Sequence, residues 1–337
     1  AGVSYKTIGD AGLEWISDLK GKVAVPSILN PAGMDLLAWK EMGVSPDFAQ
    51  KQHRIIKAYE KLGISVDCTC TPYYFSPPSF GDHLAWSESS AVSYANSVIG
   101  ARTNREGGPG ALAAALLGKT ANYGLHIDSH RAPSLLVEVD TGLSGADFGA
   151  LGIIVGKEAG SRIPLFRLRD RPQLDELKAL GAAMAASGAV ALYHVAGVTP
   201  EAGAFEPPAV SFTVTRSDID FVKGCGCEPE LIAFGCPHCS EAELRRLSCL
   251  LKGRKVKKEV WVFTSRAVGE HHPELVESIR ASGAKVFYDT CMVVSPASNR
   301  FKCIMVDSGK AHAYIPGMCG AQSQLASTED CLRAALN

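Results

Sequence analysis

The pattern of apolar and polar positions changes between two periods along the chain. Helical spacing is clear in residues 45–63, where Ser45 can cap the first turn, Pro46 suits the first helical position and Gly63 suits the end. Short apolar runs separate such segments, and the run 64–68 follows this helix directly. Helices that alternate with short apolar strands predict an α/β fold.

The alternation is most regular after residue 210. The strings "ELIAFG", "EVWVFTS" and "AKVFYD" predict strands, and the helix after the first of them begins with a capping box of Ser240 and Glu243. This βαβαβ run predicts a parallel sheet with right-handed crossovers, to which "FKCIMV" adds a further strand. A Pro-containing stretch at 201–210 is the best linker candidate. We therefore divide the chain into three α/β units, at 1–131, 132–205 and 206–337.

Composition and net charge exclude some classes of function. The chain has 337 residues, 46% of them hydrophobic, and a formal net charge of −1. That charge balance predicts neither a nucleic-acid partner nor a membrane surface, and no apolar run approaches the roughly 18 residues that a membrane span requires. Eleven cysteines in a chain large enough to bury its own core indicate a reducing cytoplasm with most thiols free.

Cysteines recur where the predicted strands end. Cys70 follows the run 64–68, Cys236 follows "ELIAFG" and Cys291 follows "AKVFYD", while His194 lies late in the run "AVALYHV". Ligands of open α/β sheets bind beyond the carboxyl ends of the strands. These positions are therefore the first candidates for a functional site.

Three kinds of chemistry fit these thiols. The string "CPHC" at 236–239 precedes a helix and has the spacing of a dithiol-exchange motif. Together with "CGC" at 225–227 it offers four thiols to zinc, although "CGC" lacks the usual C-x-x-C spacing. Three dispersed cysteines can instead hold an iron–sulfur cluster that leaves one iron open to substrate. Each cysteine taken singly also fits a buried apolar side chain, so spacing leaves the alternatives open.

A second candidate region lies at 86–118. It contains a helix rich in serine, and such residues are poor in a helix interior unless they pack closely or bind a ligand. The string "ARTNREGGPG" then brings two arginines to a Gly-rich turn that opens another helix, an arrangement that suits phosphate or carboxylate. The alternative is a closely packed small-residue helix followed by a solvated loop.

Long strings in these regions resemble the aconitase X family. They include "VAVPSILNPAGMD", "CTCTPYYF", "GDHLAWSESSAVSYANSVIGARTNREGG", "FGCPHCS" and "YDTCMVVSP", and the resemblance spans most of the chain. It implies an aconitase-like α/β fold of several domains with mainly parallel sheets. It also implies the large subunit of an iron–sulfur hydro-lyase, whose site is closed by a separate small swivel-domain subunit in a heterodimer or heterotetramer.

Two activities are known in that family. One is dehydration of mevalonate 5-phosphate to trans-anhydromevalonate 5-phosphate, in a modified mevalonate pathway of isoprenoid biosynthesis, and the other is dehydration of cis-3-hydroxy-L-proline. The strings are closer to the archaeal form, which acts on the phosphorylated hydroxy acid, and arginines in a glycine loop suit a phosphate. We therefore expect that reaction. Hydroxyproline dehydration and a thiol–disulfide oxidoreductase based on "CPHC" are the alternatives.

The resemblance also implies roles for individual residues. Cys70, Cys236 and Cys291 match the ligands of an iron–sulfur cluster, expected to be [4Fe–4S] with one iron not bound by cysteine. The catalytic base of aconitases is a serine of the swivel domain, so the base can lie outside this chain. The candidates within the chain are Glu88, Ser89 and His194 for catalysis, and Ser4, Lys6, Asn96, Arg102, Thr103 and Arg105 for substrate binding, with Lys6 for the carboxylate and Arg102 or Arg105 for the phosphate.

Overall fold

The computed structural model describes residues 3–223 and 226–337, and its first unit consists of helices joined by loops. The predicted helix after Ser45 is confirmed: the Ser45 hydroxyl accepts a hydrogen bond from the Phe48 N–H at 3.3 Å, and Gly63 ends the turn with a φ of 83°. A π-helical turn at Ala95–Ile99 follows the fourth helix. The helices of this unit are α1 (Tyr5–Asp18), α2 (Trp39–Met42), α3 (Pro46–Lys61), α4 (Ser89–Tyr94) and α5 (Gly108–Leu117).

The strand predicted at 64–68 is wrong. The run pairs through one isolated parallel bridge between Ile28 and Ser65. Its N–H groups at Ser65 and Thr69 donate to the carbonyl oxygens of Ser27 and Leu29, at 2.9 and 3.0 Å. Those partners lie in a loop, so no ladder continues on either side and the run remains extended without becoming a strand.

The middle unit is built on a parallel sheet of order β3–β2–β1–β4. Its helices α6 and α7 approach so closely that a Cβ atom on Gly188 would lie 1.7 Å from the Gly156 carbonyl oxygen. The elements are β1 (Leu135–Val139), α6 (Ala146–Ala159), β2 (Pro164–Arg167), α7 (Leu174–Gly188), β3 (His194–Val195), β4 (Ser211–Val214) and α8 (Arg216–Lys223).

Strand β4 belongs to the middle unit, which therefore extends beyond residue 205. It pairs in parallel with β1, with Leu136 opposite Ser211, so residues 211–214 belong to the middle sheet. Helix α8 is held to α6 by an ion pair in which the Lys223 Nζ lies 2.7 Å from the Asp147 carboxylate. The division made at 205 separates these elements from their sheet. We therefore propose that the second boundary lies between α8 and β5.

The third unit confirms the predicted parallel run. Its sheet has the order β7–β6–β5–β8–β9, with all pairs parallel. The capping box is present, since the Glu243 N–H donates to the Ser240 hydroxyl at 3.1 Å and the Ser240 N–H to the Glu243 carboxylate at 2.8 Å. The elements are β5 (Leu231–Cys239), α9 (Glu241–Leu251), β6 (Glu259–Thr264), α10 (Arg266–His271), α11 (Pro273–Ala281), β7 (Lys285–Phe287), β8 (Cys303–Val306), α12 (Gly309–Cys319), β9 (Gln322–Leu325) and α13 (Thr328–Leu336).

The strand order of this sheet reverses between β5 and β8. Such a reversal leaves a crevice at the carboxyl ends of the two strands, where α/β proteins bind ligands. Cys236 lies near the end of β5, and Lys310 lies in the first turn of α12, just after β8. The fold therefore brings a thiol and a cation to one crevice. In the described part of the chain no helix is both long and apolar enough to cross a membrane.

Candidate active site

Three cysteines from distant parts of the chain converge. The thiols of Cys236 and Cys291 form a hydrogen bond, and Cys70 is close enough to interact electrostatically with both. The backbone N–H of His238 donates to the Cys70 sulfur at 3.1 Å. All three side chains are buried. The question of whether these cysteines meet, which the sequence left open, is thereby answered.

His238 connects the three segments that carry the cysteines. Its Nε2 lies 2.8 Å from the Thr290 carbonyl oxygen, and its Nδ1 lies 3.1 Å from the Thr69 hydroxyl. A carbonyl oxygen only accepts, so Nε2 carries the proton and Nδ1 accepts from Thr69. Complete burial lowers the pKa of His238 to about 4. The neutral ring thus serves as a fixed spacer between residues adjacent to Cys70 and Cys291.

The surroundings of the thiols affect their protonation. Donation from the Cys236 thiol lowers the pKa of Cys291 to about 7, and the N–H groups of Val293 and Val294 act in the same direction. Burial raises the pKa of Cys70 to about 12. Metal ligands are thiolates, so a bound cation would replace the protons at this site.

A buried ion pair lies beside the thiols. The Lys310 Nζ contacts the Glu88 carboxylate and lies 3.1 Å from the Ser90 hydroxyl. Burial opposes the charge of Glu88, but the charge of Lys310 and the hydrogen bonds from Lys310, Ser90 and Ala91 outweigh it and lower the pKa of Glu88. The charge of Lys310 also acts on the three cysteines. This region therefore contains a cation that favours thiolates.

The N-terminal candidates reach the turn after Cys291. The Ser4 hydroxyl donates to the Val294 carbonyl oxygen at 2.8 Å. The Lys6 Nζ donates to the Ser295 carbonyl oxygen at 3.1 Å and to the Asn299 side chain at 2.9 Å. Partial burial lowers the pKa of Lys6. Both side chains thus lie at the edge of the cysteine site and hold its last segment in place.

Two cavities lie near the cysteines, and one of them is lined by Cys236. A cavity of about 870 Å³ reaches the polar side chains of Asn30, Ser87 and Glu88. Another, of about 1220 Å³, reaches Cys236 from the side of the capped N-termini of α7 and α9. In that second cavity Lys178 is already paired with Glu243 and Asp175. The first cavity is lined by Thr69, which precedes Cys70, and by Glu88, which pairs with Lys310, and it is the candidate place for a substrate.

The other candidate residues form a separate buried network, apart from Arg105, which is exposed. The Arg102 guanidinium contacts Asp128 at 2.9 Å and Glu201 at 3.1 Å. Further hydrogen bonds join Asn96 to Thr103 and Arg131, Arg105 to the Ala185 carbonyl oxygen, and His194 to the Arg131 carbonyl oxygen. None of these contacts leads to a cysteine of the site. A substrate role for Asn96, Arg102, Thr103, Arg105 and His194 stays a prediction.

The serine-rich helix packs closely against its neighbour. A Cβ atom on Gly181 of α7 would lie 2.7 Å from the Ser93 hydroxyl of α4, so only small residues fit between the two helices. Ser89 is buried in the first turn of the same helix, next to Glu88, which caps it. The small residues of this helix therefore serve packing, and its N-terminus lies at the Glu88–Lys310 pair.

The alternative thiol chemistries receive less support. Cys239 is buried, and burial raises its thiol pKa well above the ordinary value, which disfavours dithiol exchange. Cys227 forms a disulfide with Cys303 and is not available to zinc, and Cys225 lies outside the described residues. Within residues 3–223 and 226–337, no group of three or more histidine, cysteine or acidic side chains has the spacing needed for a single metal ion.

Sequence reasoning missed two residues of this site. Lys310 follows strand β8 by four residues and enters helix α12, a position that the strand–turn–helix pattern "CIMVDSGK" indicates. His238 lies inside "CPHC", a string whose spacing indicates a role for its two thiols and none for the histidine. Both residues act through buried contacts to partners more than 50 positions away, which spacing along the chain does not reveal.

Three family models match successive parts of the chain. The family models described as aconitase X first, second and third domain match residues 1–129, 133–223 and 229–337. The chain belongs to the aconitase X family. A crystal structure of Thermococcus kodakaraensis aconitase X in its holo-form matches with a TM-score of 0.92 and 41% identity, over 99% of this chain and 87% of that one. The expected aconitase-like α/β fold is thereby confirmed.

Curated aconitase X relatives fall into two groups by name. The phosphomevalonate dehydratase large subunit of Methanosarcina mazei is 63% identical over 340 residues, which covers 99% of this chain and 85% of that protein. The cis-3-hydroxy-L-proline dehydratase of Pseudomonas aeruginosa is 33% identical over 357 residues, which covers 97% of this chain but 61% of that protein. The second relative therefore contains a large additional part that this chain does not match.

Proposed function

We propose that this chain is the large subunit of a phosphomevalonate dehydratase, a hydro-lyase that removes water from mevalonate 5-phosphate to give trans-anhydromevalonate 5-phosphate. The convergence of Cys70, Cys236 and Cys291 beside a buried Glu88–Lys310 pair carries the proposal. The 63% identity to a protein of that name favours this substrate over hydroxyproline, whose dehydratase is the more distant relative.

The donor set fits an iron–sulfur cluster. Three buried thiols at one place, one of them with a lowered pKa and all of them near a lysine, suit a cluster held by cysteine thiolates. We assign Cys70, Cys236 and Cys291 as its ligands. A [4Fe–4S] cluster on three cysteines would supply one iron as a Lewis acid toward the hydroxyl group that leaves.

The residues of the chain bind and orient the substrate around this centre. Glu88 is held ionised by Lys310 and Ser90 at the end of the cavity, where a fixed carboxylate can accept a hydrogen bond from a substrate hydroxyl group. Ser89 lies next to it in the first turn of α4, and Ser4 and Lys6 hold the turn that follows Cys291. Rigid positioning of this kind is the main contribution of such side chains to catalysis.

None of the described side chains Glu88, His238 and Lys6, which lie beside the cysteines, is free to act as the catalytic base. Around the cysteines, the described ionisable side chains already have partners: Glu88 with Lys310, His238 with Thr69 and Thr290, and Lys6 with Ser295. A base that abstracts a proton must be free to accept it. We infer that the base comes from a small subunit, since the archaeal relatives are named large subunits.

An anaerobic assay of the reconstituted complex tests the proposal. The chain and its cognate small subunit are combined with iron and sulfide, and mevalonate 5-phosphate and cis-3-hydroxy-L-proline are offered side by side. We expect water loss from the phosphorylated substrate and no conversion of hydroxyproline. The reverse preference, or full activity in an iron-free preparation, contradicts the proposal.

A further inference from the structure

The backbone turns sharply just before two of the proposed cluster ligands. Gly235, one residue before Cys236, has a φ of 92°. Asp289, two residues before Cys291, has a φ of 64°, and in the part of the chain that the structure describes it shares a positive φ with one other non-glycine residue, Ala189. Glycine takes this left-handed conformation freely, whereas a residue with a Cβ atom keeps it where its surroundings hold it there.

Asp289 is held through both its backbone and its side chain. It is 1% exposed, and its carbonyl oxygen accepts a hydrogen bond from the Ala32 N–H at 2.7 Å. The next residue, Thr290, continues this contact through a parallel bridge with Ala32. The Asp289 carboxylate accepts a charge-assisted hydrogen bond from the Arg266 guanidinium. The turn therefore has one anchor on its backbone and another on its side chain.

Arg266 joins Asp289 to the first unit. Its Nη2 lies 3.3 Å from the Asp35 carboxylate, which also accepts a hydrogen bond from the Tyr288 N–H at 2.8 Å. The guanidinium lies over the Tyr288 ring, 5.0 Å from the ring centroid. Asp35 and Asp289 are both almost fully buried, and buried carboxylates need a counterion, which Arg266 provides for both. We call Arg266, Asp35 and Asp289 the Arg266 clamp.

The turn that the Arg266 clamp holds leads directly to the cysteine site. Thr290, between Asp289 and Cys291, accepts a hydrogen bond on its carbonyl oxygen from the His238 ring at 2.8 Å. The Cys291 thiol is hydrogen-bonded with that of Cys236. Rotation of Asp289 into the right-handed region would redirect the peptide groups that follow, because φ sets the direction of the next residues. The position of Cys291 therefore depends on the φ of Asp289.

The turns before the two cysteines are fixed in different ways. At Gly235 a Cβ atom would lie 2.0 Å from the Phe263 carbonyl oxygen, so close backbone packing fixes this turn and excludes a side chain. At Asp289 the side chain is present and is itself an anchor. Loss of the Asp289 carboxylate should therefore loosen Cys291 and leave Cys236 in place.

We propose that Asp289 is a positioning residue for Cys291, which it directs toward Cys236 through a left-handed turn held by the Arg266 clamp. It acts through Cys291 and not on the substrate. Residues that hold a metal ligand in place typically change metal affinity by about 10- to 100-fold when they are replaced. The inference rests on the proposed function, because it takes Cys291 as a ligand of an iron–sulfur cluster.

The rate of iron loss from the cluster-loaded complex tests the inference. The chain and its cognate small subunit are reconstituted with iron and sulfide and exposed anaerobically to an iron chelator, and iron release is followed by absorbance. Asp289→Gly keeps the left-handed turn but removes the side-chain anchor, so we expect release about tenfold faster or more. Asp289→Asn tolerates the same conformation and keeps an oxygen that Arg266 can bind, so we expect release slower than in Asp289→Gly.

Ala189→Val is the matched control. Ala189 is exposed and follows helix α7 with a φ of 57°. A β-branched residue is strained in this conformation, so we expect a lower midpoint of thermal unfolding. Iron release should match that of the unchanged chain. The control therefore separates a general loss of stability from a displaced ligand.

Other results would overturn the inference. Iron release from Asp289→Gly at the rate of the unchanged chain would do so, as would release equally fast from Ala189→Val, which would make the effect one of stability alone. Release from Asp289→Asn as fast as from Asp289→Gly would also do so, because the effect would then follow the charge and not the turn. An unchanged chain that binds no iron would overturn both the inference and the cluster assignment. A complex that loses iron in the expected order but does not dehydrate mevalonate 5-phosphate would support the inference and contradict the proposed function.

Discussion

The backbone N–H of His238 donates a hydrogen bond to the sulfur of Cys70, at 3.1 Å and across 168 positions of sequence. The same histidine places its ring between Thr69 and Thr290. It therefore fixes the segment that carries Cys70 against those that carry Cys236 and Cys291. A cluster site built from three distant segments depends on such contacts, because each thiol must be held in position by its neighbours.

Substitution should distinguish the three cysteines of the site from Cys239, the other buried thiol of "CPHC". We expect Cys70→Ser, Cys236→Ser and Cys291→Ser each to lose the cluster and the dehydratase activity, because each removes a thiolate ligand. Cys239→Ser is the matched control, since Cys239 is buried in the same strand as Cys236 but the groups that act most on its pKa include none of the three. Iron and sulfide content and the visible absorption spectrum of anaerobic protein measure the outcome. Loss of iron in Cys239→Ser alone would contradict the assignment.

Lys310 should matter for turnover. Lys310→Met leaves the Glu88 carboxylate buried without its cation and removes the positive charge near the thiols. We expect a loss in kcat/KM of about 100-fold or more, the size typical of a removed electrostatic contact. The measurement is steady-state kinetics with iron content determined in parallel, and Lys252→Met at the end of α9 is the control. Activity within a few-fold of the unchanged enzyme would refute the role.

The buried arginine network should act on stability. Arg131 is fully buried, and its Nε lies 3.0 Å from the Glu201 carboxylate. Arg131→Met leaves that carboxylate with one cation fewer in a buried place, which costs on the order of 3–5 kcal/mol in the free energy of unfolding. Urea denaturation measures it. The exposed pair of Arg245 and Glu241 provides the control, since Arg245→Met is expected to leave the midpoint unchanged.

Adding a single methyl group at the contact of α6 with α7 should destabilise the fold. A Cβ atom on Gly188 would meet the Gly156 backbone, which cannot move aside as a flexible side chain can. We expect Gly188→Ala to lower the free energy of unfolding by about 1–3 kcal/mol, as overpacking does. Gly317→Ala in α12 has open space around its Cβ and should be neutral or stabilising. Equal midpoints for the two variants would show that the helices separate readily.

The sequence by itself determined the local elements and the family. Ser45 and Gly63 mark the ends of α3, and the capping box of Ser240 and Glu243 marks the start of α9, because these residues satisfy backbone groups within a few positions. The apolar runs of the third unit predicted its parallel sheet because helices separate them, and a helical crossover makes successive strands parallel. The strings around Cys70, Cys236 and Cys291 were long enough to indicate aconitase X.

Only the tertiary structure decided which polar residues share a site. Lys310 pairs with Glu88 across 222 positions, whereas Arg102, a candidate for phosphate, is buried against Asp128 and Glu201. The run 64–68 has the composition of a strand but lacks a neighbouring strand to pair with. Composition determines what a segment is able to form. Its partners are set by how distant segments pack, because long-range hydrogen bonds and ion pairs have no period along the chain.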